Sequence, residues 1–178
     1  GIDAKDILFV DHSTSHACYA YYSIPKEQRS NNKLVLTLDA YGDNVNYSAR
    51  IFKNLNSNIE EKLLCSGNDF IIGRLYRYIT LILGLKPNEH EYKVMGLAPY
   101  AKDTYSKLVY DEVFKKILKV KNCRIVHNQR PKDLYGYLYN KTKKHRFDNI
   151  AAAVQIMTEE LSTKLIKMIS KRYKINHF

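Results

Sequence analysis

The feature that most constrains the fold is a group of three strand-like segments that follow one another closely along the chain. The first reads LVLTL, an aliphatic run typical of a buried strand, and it ends at Asp39. The second alternates polar and apolar residues and follows the turn-forming residues Gly42, Asp43 and Asn44. The predicted strands cover residues 34–38, 46–53 and 60–65, with turns at 41–44 and 55–58. Three consecutive strands with tight connections predict an antiparallel meander.

Elsewhere the chain is predicted to be mainly helical. The longest helix should begin at an Asp148 cap and bury a stripe of residues three or four positions apart, namely Ile150, Val154, Met157, Leu161, Leu165 and Met168. Other elements are predicted as helices at 14–22, 71–83, 106–119 and 133–143, a buried strand at 7–10, and a loop or short turn at 92–99. The order of strand, helix, meander and helices predicts a mixed α/β domain.

The formal net charge of +11, from 29 Lys and Arg against 18 Asp and Glu, has two explanations. A basic surface attracts anionic partners such as nucleic acid or a nucleotide phosphate. The excess is nevertheless spread over residues 115–121, 141–146 and 164–174, mostly on predicted outer helix faces. We therefore favour a solvated lysine-rich surface, because net charge informs association and not chemistry.

Three widely spaced cysteines without a CxxC pair, Cys18, Cys65 and Cys123, argue against a disulfide framework or a zinc knuckle. Free thiols fit a reducing cytoplasm, and we find neither a signal segment nor an apolar run long enough for a bilayer. A cytoplasmic location is therefore expected. The chain opens as a connection into a strand and stops after a helix without a capping sequence, which predicts truncation at both ends.

Two histidines, His12 and His16, are four positions apart in the segment HSTSH. This spacing places both imidazoles on one face of a helix, where they can converge on one metal ion. Position 13 is serine, so the segment lacks the glutamate base of an HExxH zinc protease. Spacing alone leaves open that these are solvent-facing or hydrogen-bonded histidines at a capped helix start.

Asp39 closes the strongest strand of the chain. An acid at the carboxyl end of a buried strand lies where α/β folds place ligands, so Asp39 is a candidate functional residue. The alternative is an aspartate that starts a turn through its own side-chain hydrogen bonds. Asp43 fits that description better, since it lies inside the turn.

The segment 88–100, NEHEYKVMGLAPY, combines charged residues, a glycine and a proline outside predicted regular structure. Lys93 could meet a phosphate as a point charge, and Gly96 could let the backbone approach a ligand, so both are candidate cofactor-binding residues. A well-packed surface loop explains the segment equally well. The chain contains no GxSxG, Walker or GxGxxG motif, so neither a nucleophile elbow nor a glycine-rich phosphate loop is visible.

Four segments, in order along the chain, resemble the NodU/CmcH carbamoyltransferases. DHSTSHA followed by AYY resembles their HxxxH helix, and LTLDAYGD resembles their next strand and acidic turn. The segment from GLKPNE to PY, residues 84–100, resembles their highly specific signature loop, and IAAAVQ at 150–155 resembles their long helix. The resemblance extends over residues 7–170.

The resemblance implies part of an actin-, hexokinase- and Hsp70-like (ribonuclease H-like) α/β fold, with residues 1–178 forming part of a single N-terminal domain. The family's N-terminal hairpin, its later nucleotide-binding segment and its adenylate-forming domain are not found in these residues. The implied activity is ATP-dependent O-carbamoyl transfer, in which carbamoyl-adenylate, made from carbamoyl phosphate and ATP, donates its carbamoyl group to an acceptor hydroxyl. The fragment alone is expected to be inactive.

The family also places a divalent metal, iron in some members, beside the nucleotide phosphates. By carry-over, His16 and Asp39 are the expected ligands, His12 is a ligand or a phosphate partner, and His12 and Asp39 are the candidate catalytic residues. Imidazole and carboxylate donors suit iron, with manganese or zinc as alternatives. The expected partners are carbamoyl phosphate, ATP and a hydroxyl acceptor such as a sugar or a natural product. No membrane or nucleic-acid partner is expected, and a homodimer is left open.

Two other functions remain open. A relative of the tRNA threonylcarbamoyl-transfer enzymes would explain the HxxxH segment and the basic charge, although residues 84–100 argue against it. A non-catalytic remnant or partner-binding module would explain the expected truncation.

Overall fold

The computed structural model describes residues 5, 7–30, 32–55 and 58–175, which fold as two compact units. One unit consists of Gly1–Asn68 with Ser170–Phe178, and the other of Asp69–Ile169. The predicted connection at the start of the chain, residues 56–57 of the second turn and the last three residues lie largely or wholly outside the described residues. Helices and antiparallel strands together confirm the mixed α/β class.

The first unit contains a three-stranded antiparallel sheet of order β1-β2-β3, which confirms the predicted meander. Its strands are β1 (Lys33–Gly42), β2 (Val45–Leu55) and β3 (Asn58–Gly67). Asp43 and Asn44 connect β1 to β2 with φ angles of 50° and 62°. Short polar side chains tolerate this left-handed conformation, which tight hairpin turns require.

Helix α1 (His12–Ser23) packs on this sheet. Its buried residues Ser13, Ala17 and Tyr21 are four positions apart and form a single stripe. Tyr21 stacks on Phe52 of β2, with ring centroids 4.4 Å apart. Burying an aromatic side chain of this kind stabilises the fold by roughly 1.5–3 kcal/mol. The stripe therefore fixes which face of α1 packs on the sheet.

The prediction of a buried strand at residues 7–10 is wrong. These residues form no strand, and 86% of Leu8 and 90% of Phe9 is exposed. A strand needs a hydrogen-bonding partner, and within the described part of the chain neither sheet pairs with this run. Its apolar composition alone was the basis of the prediction.

The second unit is mainly helical. It contains α2 (Ile72–Ile82), α3 (Glu91–Leu97), α4 (Asp103–Val109), a hairpin of β4 (Leu118–Lys121) and β5 (Arg124–His127), α5 (Leu134–Thr142) and most of α6 (Phe147–Tyr173). The helices predicted at 71–83, 133–143 and 148–173 are confirmed. The buried stripe of α6 includes Ile169, whereas the sequence predicts Met168 at that end. Asp148 is a residue of the first turn of α6, whereas the sequence predicts it as the cap. Among the described residues, no helix is both long and apolar enough to cross a bilayer.

Two predictions in this unit need correction. The expected loop at 92–99 is helix α3 followed by a short 3₁₀ turn at Ala98–Tyr100. The helix expected at 106–119 ends in a π turn at Tyr110–Phe114, and its predicted last residues belong to β4. The chain reverses after β4 because Asn122 and Cys123, with φ angles of 52° and 58°, form the hairpin turn to β5.

Candidate metal centre

The three side chains that the sequence analysis predicts as metal ligands converge in the first unit. His12 Nε2 donates a hydrogen bond to Asp39 Oδ2 at 2.5 Å, and His16 Nε2 lies 3.3 Å from the same oxygen. The two Nε2 atoms are 3.1 Å apart. The histidines and Asp39 keep a large exposed fraction, so an ion or substrate can reach all three.

Strand alternation places Asp39 on the same face of β1 as Thr37, whose Oγ1 contacts Ser48 beneath α1. The pairing of β1 with β2 shifts register between Leu38 and Gly42, so the strand bulges where Asp39 lies. The hydrogen bond from His12, followed by one from the Ala40 amide, holds the pKa of Asp39 below its ordinary value. Asp39 is therefore a carboxylate at neutral pH, which is the form that binds cations.

The start of α1 is held from two sides. Asp11 caps the helix by accepting a hydrogen bond from the Thr14 amide at 2.9 Å. Asp43, in the turn after β1, accepts one from the His12 amide at 2.8 Å. The hairpin turn thus fixes the backbone of a candidate ligand, whereas the sequence predicts for Asp43 only a place in the turn.

Gly42 lies directly beneath the His12 imidazole. A Cβ atom at this position would stand 2.2 Å from His12 Cδ2 and 2.9 Å from His12 Cβ. Real side chains do not approach this closely, so only glycine leaves room for the ring where it lies. The glycine in the segment LTLDAYGD was the available signal, but the sequence could not show what approaches it.

A cavity of about 290 Å³ opens beside these side chains. It is lined by His16, Tyr19 and Ala20 of α1 and by residues 36–39 of β1. The lining combines apolar side chains with two hydroxyl-bearing residues, Tyr19 and Thr37, one imidazole and one carboxylate. Small-molecule sites commonly have this mixture of apolar walls and a few polar groups.

Lys93 and Gly96 lie on α3 in the second unit. The Lys93 Nζ lies 5.8 Å from the centre of the Tyr92 ring. A Cβ added at Gly96 would meet no described atom within 4 Å. None of the contacts described for these two residues tests nucleotide binding, so their role as cofactor-binding residues stays a prediction.

The donor set fits a divalent transition metal. Nitrogen and oxygen ligands bind such ions at about 2.0–2.2 Å, which places neighbouring donors about 3.0–3.5 Å apart. Both distances from His16 Nε2 fall in this range. The His12–Asp39 contact is shorter because these atoms are hydrogen-bonded to each other. Among the described residues this is a group of three potential ligand side chains, fewer than a tightly held ion needs.

Residues 1–178 match the family model described as carbamoyltransferase N-terminus. The chain is also 28% identical over 179 residues to "Uncharacterized protein sll1178" of Synechocystis sp., with 92% of this chain and 28% of that protein covered. A second relative, "Uncharacterized protein MJ1051" of Methanocaldococcus jannaschii, is 28% identical over 179 residues, with 97% of this chain and 33% of that protein covered. The chain therefore spans a third or less of the length of these curated relatives.

Proposed function

Because the chain belongs to the carbamoyltransferase N-terminal family, we propose that it carries the metal site of an ATP-dependent O-carbamoyltransferase. The donor is carbamoyl-adenylate, formed from carbamoyl phosphate and ATP. The acceptor is a hydroxyl group of a sugar or a natural product. The NodU/CmcH branch and an actin-like, ribonuclease H-like fold are part of this proposal, supported by the motif resemblance of residues 84–100.

The observation that carries the proposal is the convergence of His12, His16 and Asp39 in a chain of this family. Two imidazoles and a carboxylate suit iron, with manganese or zinc as alternatives. Their exposed position beside the cavity leaves room for a nucleotide phosphate and an acceptor.

In the transfer step, the acceptor oxygen forms a bond to the carbamoyl carbon, and the bond from this carbon to the adenylate phosphate oxygen breaks. AMP leaves with the bonding electron pair, and the hydroxyl proton is released. A bound divalent cation supplies charge neutralisation at the phosphate. Asp39 keeps the imidazoles of His12 and His16 directed at one point, and its lowered pKa keeps it ionised at neutral pH.

The proposal is tested by titrating iron(II), manganese(II) and zinc(II) into the intact protein that contains this chain. His16→Ala and Asp39→Asn should each weaken binding by more than about 100-fold, beyond the roughly 10–100-fold effect of changes behind the ligands. His145→Ala, in the second unit, serves as the control and should leave affinity unchanged. Wild-type affinity in both site variants would rule out the proposed metal site.

Activity is measured as carbamoyl phosphate-dependent release of pyrophosphate from ATP, and as release of AMP when an acceptor hydroxyl is added. We further propose that Lys93 and Gly96 contact the nucleotide, supported by their place in the signature-like segment. Lys93→Ala should then weaken ATP binding without changing metal affinity. Equal ATP affinity in Lys93→Ala and wild type would show that Lys93 does not contact the nucleotide.

A second candidate function is transfer related to tRNA threonylcarbamoylation, which the net charge of +11 favours. Salt-sensitive binding of tRNA to the intact protein would support it, since phosphate contacts release counterions. A non-catalytic binding module is the third candidate. Metal binding without any carbamoyl phosphate-dependent turnover of ATP in the intact protein would favour that role.

A further inference from the structure

Arg50 of β2 is a buried cation beneath the first turn of α1. Only 5% of the residue is exposed. Burying an unpaired guanidinium costs several kcal/mol, and the positive end of a helix dipole disfavours a cation further. Arg50 can occupy this place only because other groups compensate for both costs.

The compensation comes from three hydroxyl groups and two carboxylates. Arg50 Nη1 donates to Ser13 Oγ at 2.8 Å and to Ser48 Oγ at 2.5 Å. Nη2 donates to Thr14 Oγ1 at 2.8 Å. Nε forms an ion pair with Glu61 Oε1 at 2.7 Å, although its orientation is not that of a hydrogen bond. Asp11 Oδ1 lies 3.8 Å from Nη2, so each guanidinium nitrogen faces an oxygen.

These hydroxyl groups extend the hydrogen-bond network to the helix cap and to β1. Thr14 Oγ1 accepts from Arg50 and donates to Asp11 Oδ2. Ser13 Oγ accepts from Arg50 and donates to Ser48 Oγ. Since Ser48 Oγ accepts from two donors, its own hydrogen points to Thr37 Oγ1, 2.7 Å away.

The network thus ends within two positions, along the chain, of each candidate metal ligand. Ser13 and Thr14 lie between His12 and His16 on α1. Thr37 lies two positions before Asp39 on β1, and both line the same cavity. One guanidinium therefore joins the helix that carries the imidazoles to the strand that carries the carboxylate.

We infer that Arg50 is the positioning residue of the candidate metal centre and sets the separation of the His12–His16 pair from Asp39. The inference rests on the proposed metal function. Arg50 acts through Ser13, Thr14 and Ser48 and not as a ligand, because it is cationic and buried. Its fork of donors is the feature required, since a lysine ammonium cannot reach hydroxyl groups on two elements in the same geometry.

The test compares Arg50→Met, Arg50→Lys and Arg77→Met in the intact protein, with cobalt(II) as the probe. Arg77 is an exposed arginine of α2 and serves as the matched control. Arg50→Met should weaken cobalt binding about 10–100-fold and alter the visible spectrum of the bound ion, whereas Arg77→Met should do neither. Arg50→Lys should keep the charge and the fold but still show the altered spectrum.

Wild-type affinity and spectrum in a folded Arg50→Met variant would overturn the inference. If that variant does not fold, Arg50→Lys and the milder Ser13→Ala decide, and wild-type spectra in both would overturn it equally. If the wild-type protein binds no cobalt, the proposed metal site is wrong. The imidazole NMR signals of His12 and His16 then test positioning alone, with shifted signals in Arg50→Lys supporting the inference and unchanged signals refuting it.

Discussion

Helices α1 and α3 both carry candidate functional residues, but they are held in place in opposite ways. The first turn of α1 depends on partners far along the chain, since His12 contacts Asp39 and Asp43 across 27 and 31 positions. The start of α3 depends on neighbours. The Asn88 amide donates to Glu91 Oε1 and the Lys86 amide to His90 Nδ1, across three and four positions.

The difference shows which helix has side chains directed by the surrounding fold. Around α1, the hairpin turn, Gly42 and the buried Arg50 contact the segment that carries His12 and His16. Around α3, short-range hydrogen bonds and the buried Val94 fix the helix, and Lys93 Nζ lies over the ring of the neighbouring Tyr92. Substitutions behind α1 should therefore change metal affinity, whereas matched substitutions in the second unit should change stability alone.

Among substitutions behind the candidate ligands, the largest effect is expected from Gly42→Ala. The added methyl group would overlap the His12 ring, which must then move away from Asp39. We expect metal affinity to fall about 10–100-fold, in the range seen when groups behind metal ligands are changed. Isothermal titration of the intact protein measures the loss, and unchanged affinity would show that His12 is not held by this contact.

Gly96→Ala is the matched substitution on α3. A methyl group there meets open space, and alanine in a helix interior is favoured over glycine by about 0.5–1 kcal/mol. We expect a small rise in the free energy of unfolding. Metal affinity should equal that of the wild-type protein. A fall in ATP affinity in this variant would instead support the proposed approach of a nucleotide to Gly96.

The next effect separates two aspartate helix caps whose amide hydrogen bonds are equally long. Asp11 accepts from the Thr14 amide and Asp133 from the Gly136 amide, each at 2.9 Å. Replacing either by alanine should cost about 1 kcal/mol of stability in chemical denaturation. Only Asp11→Ala should also weaken metal binding, because it frees the turn that carries His12. Equal metal affinity in the two variants would contradict the comparison.

The smallest effect concerns acid stability of the metal-free protein. The pKa of Asp39 is lowered in the folded state, so its contribution to stability is complete above the ordinary value of 3.8 and is lost as the pH falls through the lowered value. Asp39→Asn should therefore flatten the pH dependence of unfolding between 3.8 and the lowered value. Urea denaturation at several acidic pH values measures the slope, and an identical slope in both proteins would show that the His12–Asp39 bond adds nothing.

Much of the first unit follows from sequence because its signals are local. Strand alternation and turn residues predict the meander, and a spacing of four places His12 and His16 on one face. The role of Arg50 could not be predicted, since a polar residue in an alternating strand is usually solvent-facing. Only the packing of α1 on that face makes it buried.

The wrong predictions have physical causes as well. Gly96, the nearby Pro99 and the charged residues concealed helix α3, which Glu91 and Val94 support. The β4–β5 hairpin was hidden because Leu118 continues the apolar spacing of the preceding helix. The two-residue turn at Asn122 and Cys123 between alternating segments was the signal for it.

X-ray absorption spectroscopy of the iron- or zinc-loaded intact protein tests the central claim most directly. We expect nitrogen and oxygen neighbours at about 2.0–2.2 Å, with the scattering pattern of two imidazoles in the wild type and of one in His16→Ala. Sulfur neighbours, or an unchanged imidazole contribution in His16→Ala, would show that the ion is bound elsewhere and would contradict the account.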